Sequence, residues 1–246
     1  MRKTLCFASR CAKEMLRDKL NLAFGLGFPL IVLLLLSLIQ ANIPVELFRI
    51  DQLAPGVAVF GLSFISLFSG MLVARDRTSA LMLRLFTSPM TAGQFLMGYV
   101  LPLIPISLAQ SAVCLLVGVC LGLPVSANLL LTLVVLLPAA LLFIAIGVLC
   151  GTCLNDKQVG GFCGALLTNL SAWLSGIWFD PKLVGGVFEK IANALPFLHA
   201  VNAARSAAAG NTAAILGDLA WVAAYAAALF ALAAFVFAKK MRADQK

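Results

Sequence analysis

The sequence predicts an all-α membrane protein: six transmembrane helices, an N-terminal amphipathic helix at the membrane interface, and an outer helical pair between spans 5 and 6. Three observations carry this. Hydrophobic residues make up 62% of the 246 and charged residues 11%, with a mean hydropathy of +1.04, whereas soluble domains are about 45–50% apolar and about 25% charged. The apolar runs are unbroken and close to the roughly 20 residues a helical span requires. They lack the alternation of a membrane β-barrel, and a helix satisfies its own backbone groups in lipid. The charges, finally, fall between the runs rather than within them.

Residues 1–21 form the interfacial helix. Leu5, Ala8, Ala12, Met15, Leu16 and Lys19 share one helical face, and Arg10, Lys13, Glu14 and Arg17 the other. Positive residues continue to Lys19 with acids interspersed, and the apolar run that follows is span length, so this is no cleavable signal. The spans are expected at about 22–40, 55–74, 95–121, 127–150, 159–178 and 218–238. Only Gly122 to Ser126 joins spans 3 and 4, which predicts a tight antiparallel hairpin. Pro29, Pro102, Pro105 and Pro138 can kink their helices, and Gly25, Gly27, Gly160, Gly161 and Gly164 permit close helix approach.

The segment 179–217 is no ordinary loop. Leu183, Val184, Val187, Phe188, Ile191 and Leu195 recur at helical spacing up to Pro196, and a second helix is expected from about Leu198 to Ala209, ended by Gly210-Asn211. Neither is long enough to cross. The pair is read as lying on, or dipping into, the outer leaflet, with Trp173, Trp178 and Phe179 at the level of an aromatic belt. Residues 239–246 are a tail.

With the N-terminus inside, fourteen of the eighteen Lys and Arg fall on inner segments, so both termini are expected in the cytoplasm. The formal net charge of +8 is therefore a topology signal rather than a nucleic-acid footprint. Cys6, Cys11, Cys114, Cys120, Cys150, Cys153 and Cys163 all avoid the outer segments, which argues against a disulfide framework. Cys150-x-x-Cys153 lacks a second pair or a nearby His to complete a metal site.

One inner segment is unusual. Arg75-Asp76-Arg77-Thr78-Ser79-Ala80-Leu81-Met82-Leu83-Arg84-Leu85-Phe86 reads as a charged, partly apolar helix stopped by Ser88-Pro89. A simple connector needs only a few polar residues. A helix of this kind at the membrane surface suggests a docking element for a cytoplasmic partner.

The chemistry that is missing narrows the class. No span interior holds a Lys, Arg, Asp, Glu or His, which weakens ion-coupled transport and a charged channel filter. There is no G-x-x-x-x-G-K-[ST] phosphate loop, so ATP hydrolysis by that route is excluded. No Ser/His/Asp or metal-ligand constellation occurs, and the only histidine, His199, reads as structural or interfacial. Gln110, Thr168, Asn169 and Ser171 are the neutral polar groups at depth.

A membrane subunit without its own energy source, carrying a docking helix, resembles the permease subunit of an ABC-2 type (type V) ABC transporter. The matching stretches are Arg75 to Ser79 with Leu85-Phe86-Thr87-Ser88-Pro89, then Gly176-Ile177-Trp178-Phe179, and Ala194-Leu195-Pro196-Phe197 with Arg205. Ser79 stands where the family commonly has glycine, and Arg75-Asp76 replaces its usual glutamate. The resemblance covers nearly the whole chain as a single domain.

It implies that Arg75, Asp76, Arg77, Ser79, Leu81, Arg84 and Phe86 couple to an ABC-type ATP-binding subunit, with Arg10, Lys13, Glu14 and Arg17 as a second contact. Two permease copies, identical or similar, would pair around a pathway, and Phe28, Phe60, Phe64, Asn169 and Trp173 are the candidates to line it. ATP and Mg would sit on the partner subunit, none on this chain, and no catalytic or metal residue is assigned. The expected function is export of an amphipathic, lipid-like or drug-like substrate across a bacterial inner membrane. A polysaccharide exporter, or a non-transporting sensor or immunity module, is the alternative.

Overall fold

The computed structural model describes residues 2–44, 46–78 and 91–243, and all regular structure among them is helical. In chain order the elements are α1 (Arg2–Arg17), α2 (Lys19–Asn42), α3 (Ile50–Thr78), α4 (Ala92–Cys120), α5 (Asn128–Cys153) and α6 (Asp156–Val159). A π-helix (Gly160–Leu167) follows, then α7 (Thr168–Leu174), α8 (Pro181–Val184), α9 (Gly186–Ala194), α10 (Pro196–Ala208) and α11 (Thr212–Ala243).

Among the described residues, five helices are long and apolar enough to cross a membrane: α2, α3, α4, α5 and α11. The stretch predicted as a span at 159–178 is instead three consecutive pieces, α6, the π-helix and α7. Its glycine content favours this. Gly160, Gly161 and Gly164 give little packing constraint on the standard i→i−4 ladder, and Thr168 Oγ1 donates to Cys163 O at 2.9 Å, five residues back.

Helix ends follow local chemistry. Asp18 caps α2 by accepting from the Asn21 N–H, while Thr91 with Gln94 and Asn155 with Gln158 form capping boxes at α4 and α6. Gly122, at φ +108°, turns the chain in the short α4–α5 connection, a conformation an L side chain resists. The outer pair departs from expectation in two ways. Its first helix is split at Gly185–Gly186, both at positive φ, and its second begins at Pro196, because proline suits the first turn of a helix, where no N–H donor is needed.

The core is built around α3, whose apolar stretch is 83% buried, against 17% for those of α2 and α11. Its tightest neighbour is α5. A Cβ on Gly147 would stand 1.8 Å from Ser69 Oγ and 2.1 Å from Ser66 O, and one on Gly151 would stand 2.3 Å from Gly70 O. The two backbones therefore touch, as small residues allow in lipid. Ser63, Ser66 and Ser69 return their hydroxyls to carbonyls three residues back in α3, leaving no unmet donor in that seam.

α1 has three stripes rather than two. Phe7, Ala8, Cys11 and Met15 are buried, Phe7 against Phe95 and Tyr99 of α4, while Leu5 and Leu16 are 59% and 58% exposed on the adjoining flank. The predicted single apolar face thus divides between a protein neighbour and an outward apolar surface.

Candidate functional site

The polar chemistry of the bundle gathers at the end where α1 lies, and its centre is Asp76. This carboxylate sits in the last turns of α3 with 2% exposure. Arg10 donates to it from Nη1 and Nη2, each at 2.6 Å, and Tyr99 OH donates at 3.0 Å. Such a two-pronged guanidinium–carboxylate contact is both strong and directional. Tyr99 is fully buried in α4, and Phe7 packs edge-on against it and against Phe95, at 5.0 and 5.5 Å between ring centres. One carboxylate thereby joins α1, α3 and α4.

The hydrogen bonds and charge of Asp76 raise the Arg10 guanidinium further above its ordinary value. Burial raises Glu14, which also accepts from Arg10 at 2.6 Å, and burial pushes the Cys11 thiol up to about 12. Cys11 is inert packing.

The flanking arginines extend the network. Arg75 reaches Asp18, at the α1–α2 junction, at 3.2 Å and Asp156, at the start of α6, at 3.4 Å. Arg77 donates to the carbonyls of Thr152 and Leu154, the latter at 2.9 Å, and Lys240 of α11 donates to Thr152 O at 2.8 Å. A helix leaves its last carbonyls without internal donors, and that end carries partial negative charge. Here two cations from two other helices supply what α5 lacks. Six elements, α1, α3, α4, α5, α6 and α11, are tied together through side chains within a few residues of Asp76, Arg77 and Thr152.

Among the predicted coupling residues, Asp76 and Arg77 are thus turned into the bundle, and Arg10 bridges Glu14 and Asp76. Lys13 and Arg17 are exposed, on an open groove of about 720 Å³ that Arg10 and Glu14 also line. Ser79, Leu81, Arg84 and Phe86 lie outside the described residues.

The predicted pathway residues divide. Phe28, Phe60 and Phe64 form one aromatic cluster between α2 and α3, with ring centres 5.4 to 6.2 Å apart. Trp178, absent from the predicted pathway residues, meets it edge-on through Phe60 at 5.8 Å. Asn169 and Trp173 lie elsewhere, exposed on α7. Asn169 donates to Ala165 O of the preceding π-helix, and Trp173 meets Phe179, which in turn meets Phe188. The tandem Trp178-Phe179 therefore joins two aromatic chains, a junction that its position beyond a span end did not signal.

At the opposite end, Arg205 of α10 donates from Nε to Gln52 O and from Nη2 to Gly176 O, both at 3.0 Å, binding the start of α3 to the end of α7. Burial lowers this guanidinium from its ordinary value. It lines a cavity of about 420 Å³ with Trp178, Phe179, Asp180, Glu189 and Asn202. His199 is held at both ring nitrogens: Nδ1 lies 2.6 Å from Asp218 and Nε2 2.9 Å from Asn193 O. Among the described residues no three His, Cys, Asp or Glu side chains group as metal ligands. Tyr99, Asp18, Asp156 and Lys240 were not singled out, because each gains its role from a residue distant in sequence.

The family model described as "ABC-2 type transporter" matches residues 3–208, from α1 to the end of α10. No curated protein matches the chain.

Proposed function

The chain belongs to the ABC-2 type transporter family, and from that premise we propose that it is the membrane subunit of an ATP-driven exporter. A separate ABC-type subunit in the cytoplasm would bind ATP and Mg and supply the energy. A second permease copy would complete the pathway, and the substrate would be amphipathic, lipid-like or drug-like. In this reading the end carrying α1 faces the cytoplasm of a bacterial cell, both termini lie there, and α6, the π-helix and α7 together make a sixth crossing, 19 residues long between Asp156 and Leu174.

The observation that carries the reading is the network around Asp76. Residues 79–86 follow α3 in the sequence, and the last residues of α3 hold α1, α4, α5 and α6. A push delivered to that segment by a partner reaches five helices through bonds already made. Arg75 to Arg77 then act as the anchorage of the coupling segment, while Lys13, Arg17, Arg84 and Phe86 are assigned to partner contact. The aromatic cluster of Phe28, Phe60, Phe64 and Trp178 suits an apolar substrate body.

The test is co-purification with an ABC-type ATPase and the turnover of the complex. Arg84→Glu and the pair Lys13→Glu with Arg17→Glu should release the ATPase or uncouple it. Full retention of binding and turnover in both would refute the coupling assignment.

A further inference from the structure

The cavity of about 420 Å³ beside Arg205 lies at the end of the bundle opposite Asp76. Its volume falls in the range of small-molecule sites, about 300–1,000 Å³. Asn202 and Arg205 share one face of α10, Glu189 comes from the first turn of α9, and Gln52 from the first turn of α3. The chain between α7 and α8, with the start of α8, adds Trp178, Phe179, Asp180 and Lys182.

The charges of this lining nearly cancel. Glu46 is paired with Arg49 at 3.2 Å, which leaves Asp180 and Glu189 against Lys182 and Arg205. Arg205 is already committed to the carbonyls of Gln52 and Gly176. The side chains of Gln52, Lys182, Glu189 and Asn202 make no hydrogen bond to other described residues. Together they present an ammonium donor, a carboxylate acceptor and two amides that do both. A hydroxyl also donates and accepts, so a polyol can meet every member of the set. An ammonium head brings donors alone and is opposed by Lys182 and Arg205. A phosphate or sulfate head brings acceptors alone and is opposed by Asp180 and Glu189. Either charged head leaves part of the lining unpaired.

The aromatic wall defines the other half of the ligand. Trp178 lines the cavity and also meets Phe60 edge-on at 5.8 Å, and Phe60 meets Phe28 and Phe64. Phe28 is 41% exposed, so the cluster opens outward from the bundle. A polar cavity and an apolar track thus join at one indole.

We propose that this cavity seats the uncharged, polyhydroxyl head, such as a sugar, of an amphipathic substrate whose apolar tail lies along Phe60, Phe64 and Phe28. The C–H faces of the head rest on Trp178 and Phe179, and its hydroxyls meet Asn202, Glu189, Gln52 and Lys182. That the ligand is transported rests on the exporter reading; that the cavity binds it does not.

The test uses the full-length chain in lipid nanodiscs, with empty nanodiscs to subtract partitioning of the probe. Radiolabelled decyl maltoside, decyltrimethylammonium and decyl sulfate share a tail and differ in head. Decyl maltoside should bind saturably and about tenfold more tightly than either charged probe, and maltose alone should compete about tenfold less well than decyl maltoside. Asn202→Ala and Glu189→Ala should each weaken decyl maltoside about five- to tenfold, with the melting temperature of the probe-free chain unchanged. Absence of saturable binding, a charged head binding as tightly as the maltoside, maltose competing as well as decyl maltoside, or both variants binding as wild type would overturn the proposal. The head series needs no variant, so it decides even where a substitution disturbs folding. No arm requires an ATPase. Loss of coupling with binding intact counts against the exporter reading alone, and loss of binding with coupling intact against the cavity alone.

Discussion

Arg10 and Asp76, 66 positions apart, close α1 onto α3 through two hydrogen bonds of 2.6 Å. The pair is asymmetric. Asp76 is buried, while Arg10 keeps about a third of its side chain exposed and also holds Glu14. Removing either partner therefore has a different outcome. Arg10→Ala takes both guanidinium bonds from a buried carboxylate and should destabilise by about 2–3 kcal/mol, whereas Asp76→Ala leaves an arginine that can turn to water but strands the buried Tyr99 hydroxyl, and should cost about 1–2 kcal/mol. Thermal melts of the purified chain measure both, and proteolysis within α1 should accelerate in the first.

The seam between α3 and α5 has no room for a methyl group. Gly147→Ala would place Cβ against Ser69 Oγ and Ser66 O, and because one obstacle is backbone, the helices must separate, at a cost of about 3 kcal/mol. Gly27→Ala is the internal control, since nothing lies within 4 Å of its Cβ. There the better helix propensity of alanine should leave stability unchanged or raise it by up to about 1 kcal/mol. Equal effects from the two variants would show that backbone contact does not hold this pair.

Arg205→Lys tests geometry apart from charge. The guanidinium reaches Gln52 O and Gly176 O from two nitrogens in fixed relation, and an ammonium cannot span both. The expected loss is about 1–2 kcal/mol, with faster hydrogen exchange at the start of α3 and the end of α7. Normal protection at both sites would show that the fork is dispensable.

Asp18 sets an acid limit. Partial burial raises it, but donors from the Asn21 backbone and side chain and from Arg75 outweigh that, so its value falls below the ordinary 3.8. A carboxylate with a lowered folded-state pKa stabilises fully above its unfolded value, and the contribution is lost as pH falls through the folded one. The wild type should therefore lose melting temperature between about pH 5 and pH 3, and Asp18→Asn should lose less over that window. Parallel curves for the two would assign the acid sensitivity elsewhere.

What the sequence revealed and what it hid follow one physical division. Span-length apolar runs and caps such as Thr91 with Gln94 act within a few residues, so they can be read directly. The faces of α1 were misread because helical periodicity locates apolar residues without saying which neighbour each meets: Phe7 packs on α4 and Cys11 is buried, while Leu5 and Leu16 face outward. Arg75, Asp76 and Arg77 were recognised as important, but a charged run looks solvated until its partners at Arg10, Tyr99 and Thr152 are known. The π-helix gave only glycines as a clue, and glycines fit close packing equally well. Of the pathway candidates, the three phenylalanines meet, whereas Asn169 and Trp173 were grouped with them only by depth.

The backbone contact of Gly70 with Gly147 and Gly151 has a mechanical consequence. Two helices in such contact bend and tilt as one beam. Arg77 ties the two helices together at one end, and Arg205 fastens the start of α3 to the turn after α7 at the other. A load at one end of a beam is not dissipated in side-chain repacking along the way. It reaches the far end as a movement of the pair together, and the lightly packed helices on either side are left to ride on it like sleeves on a rod.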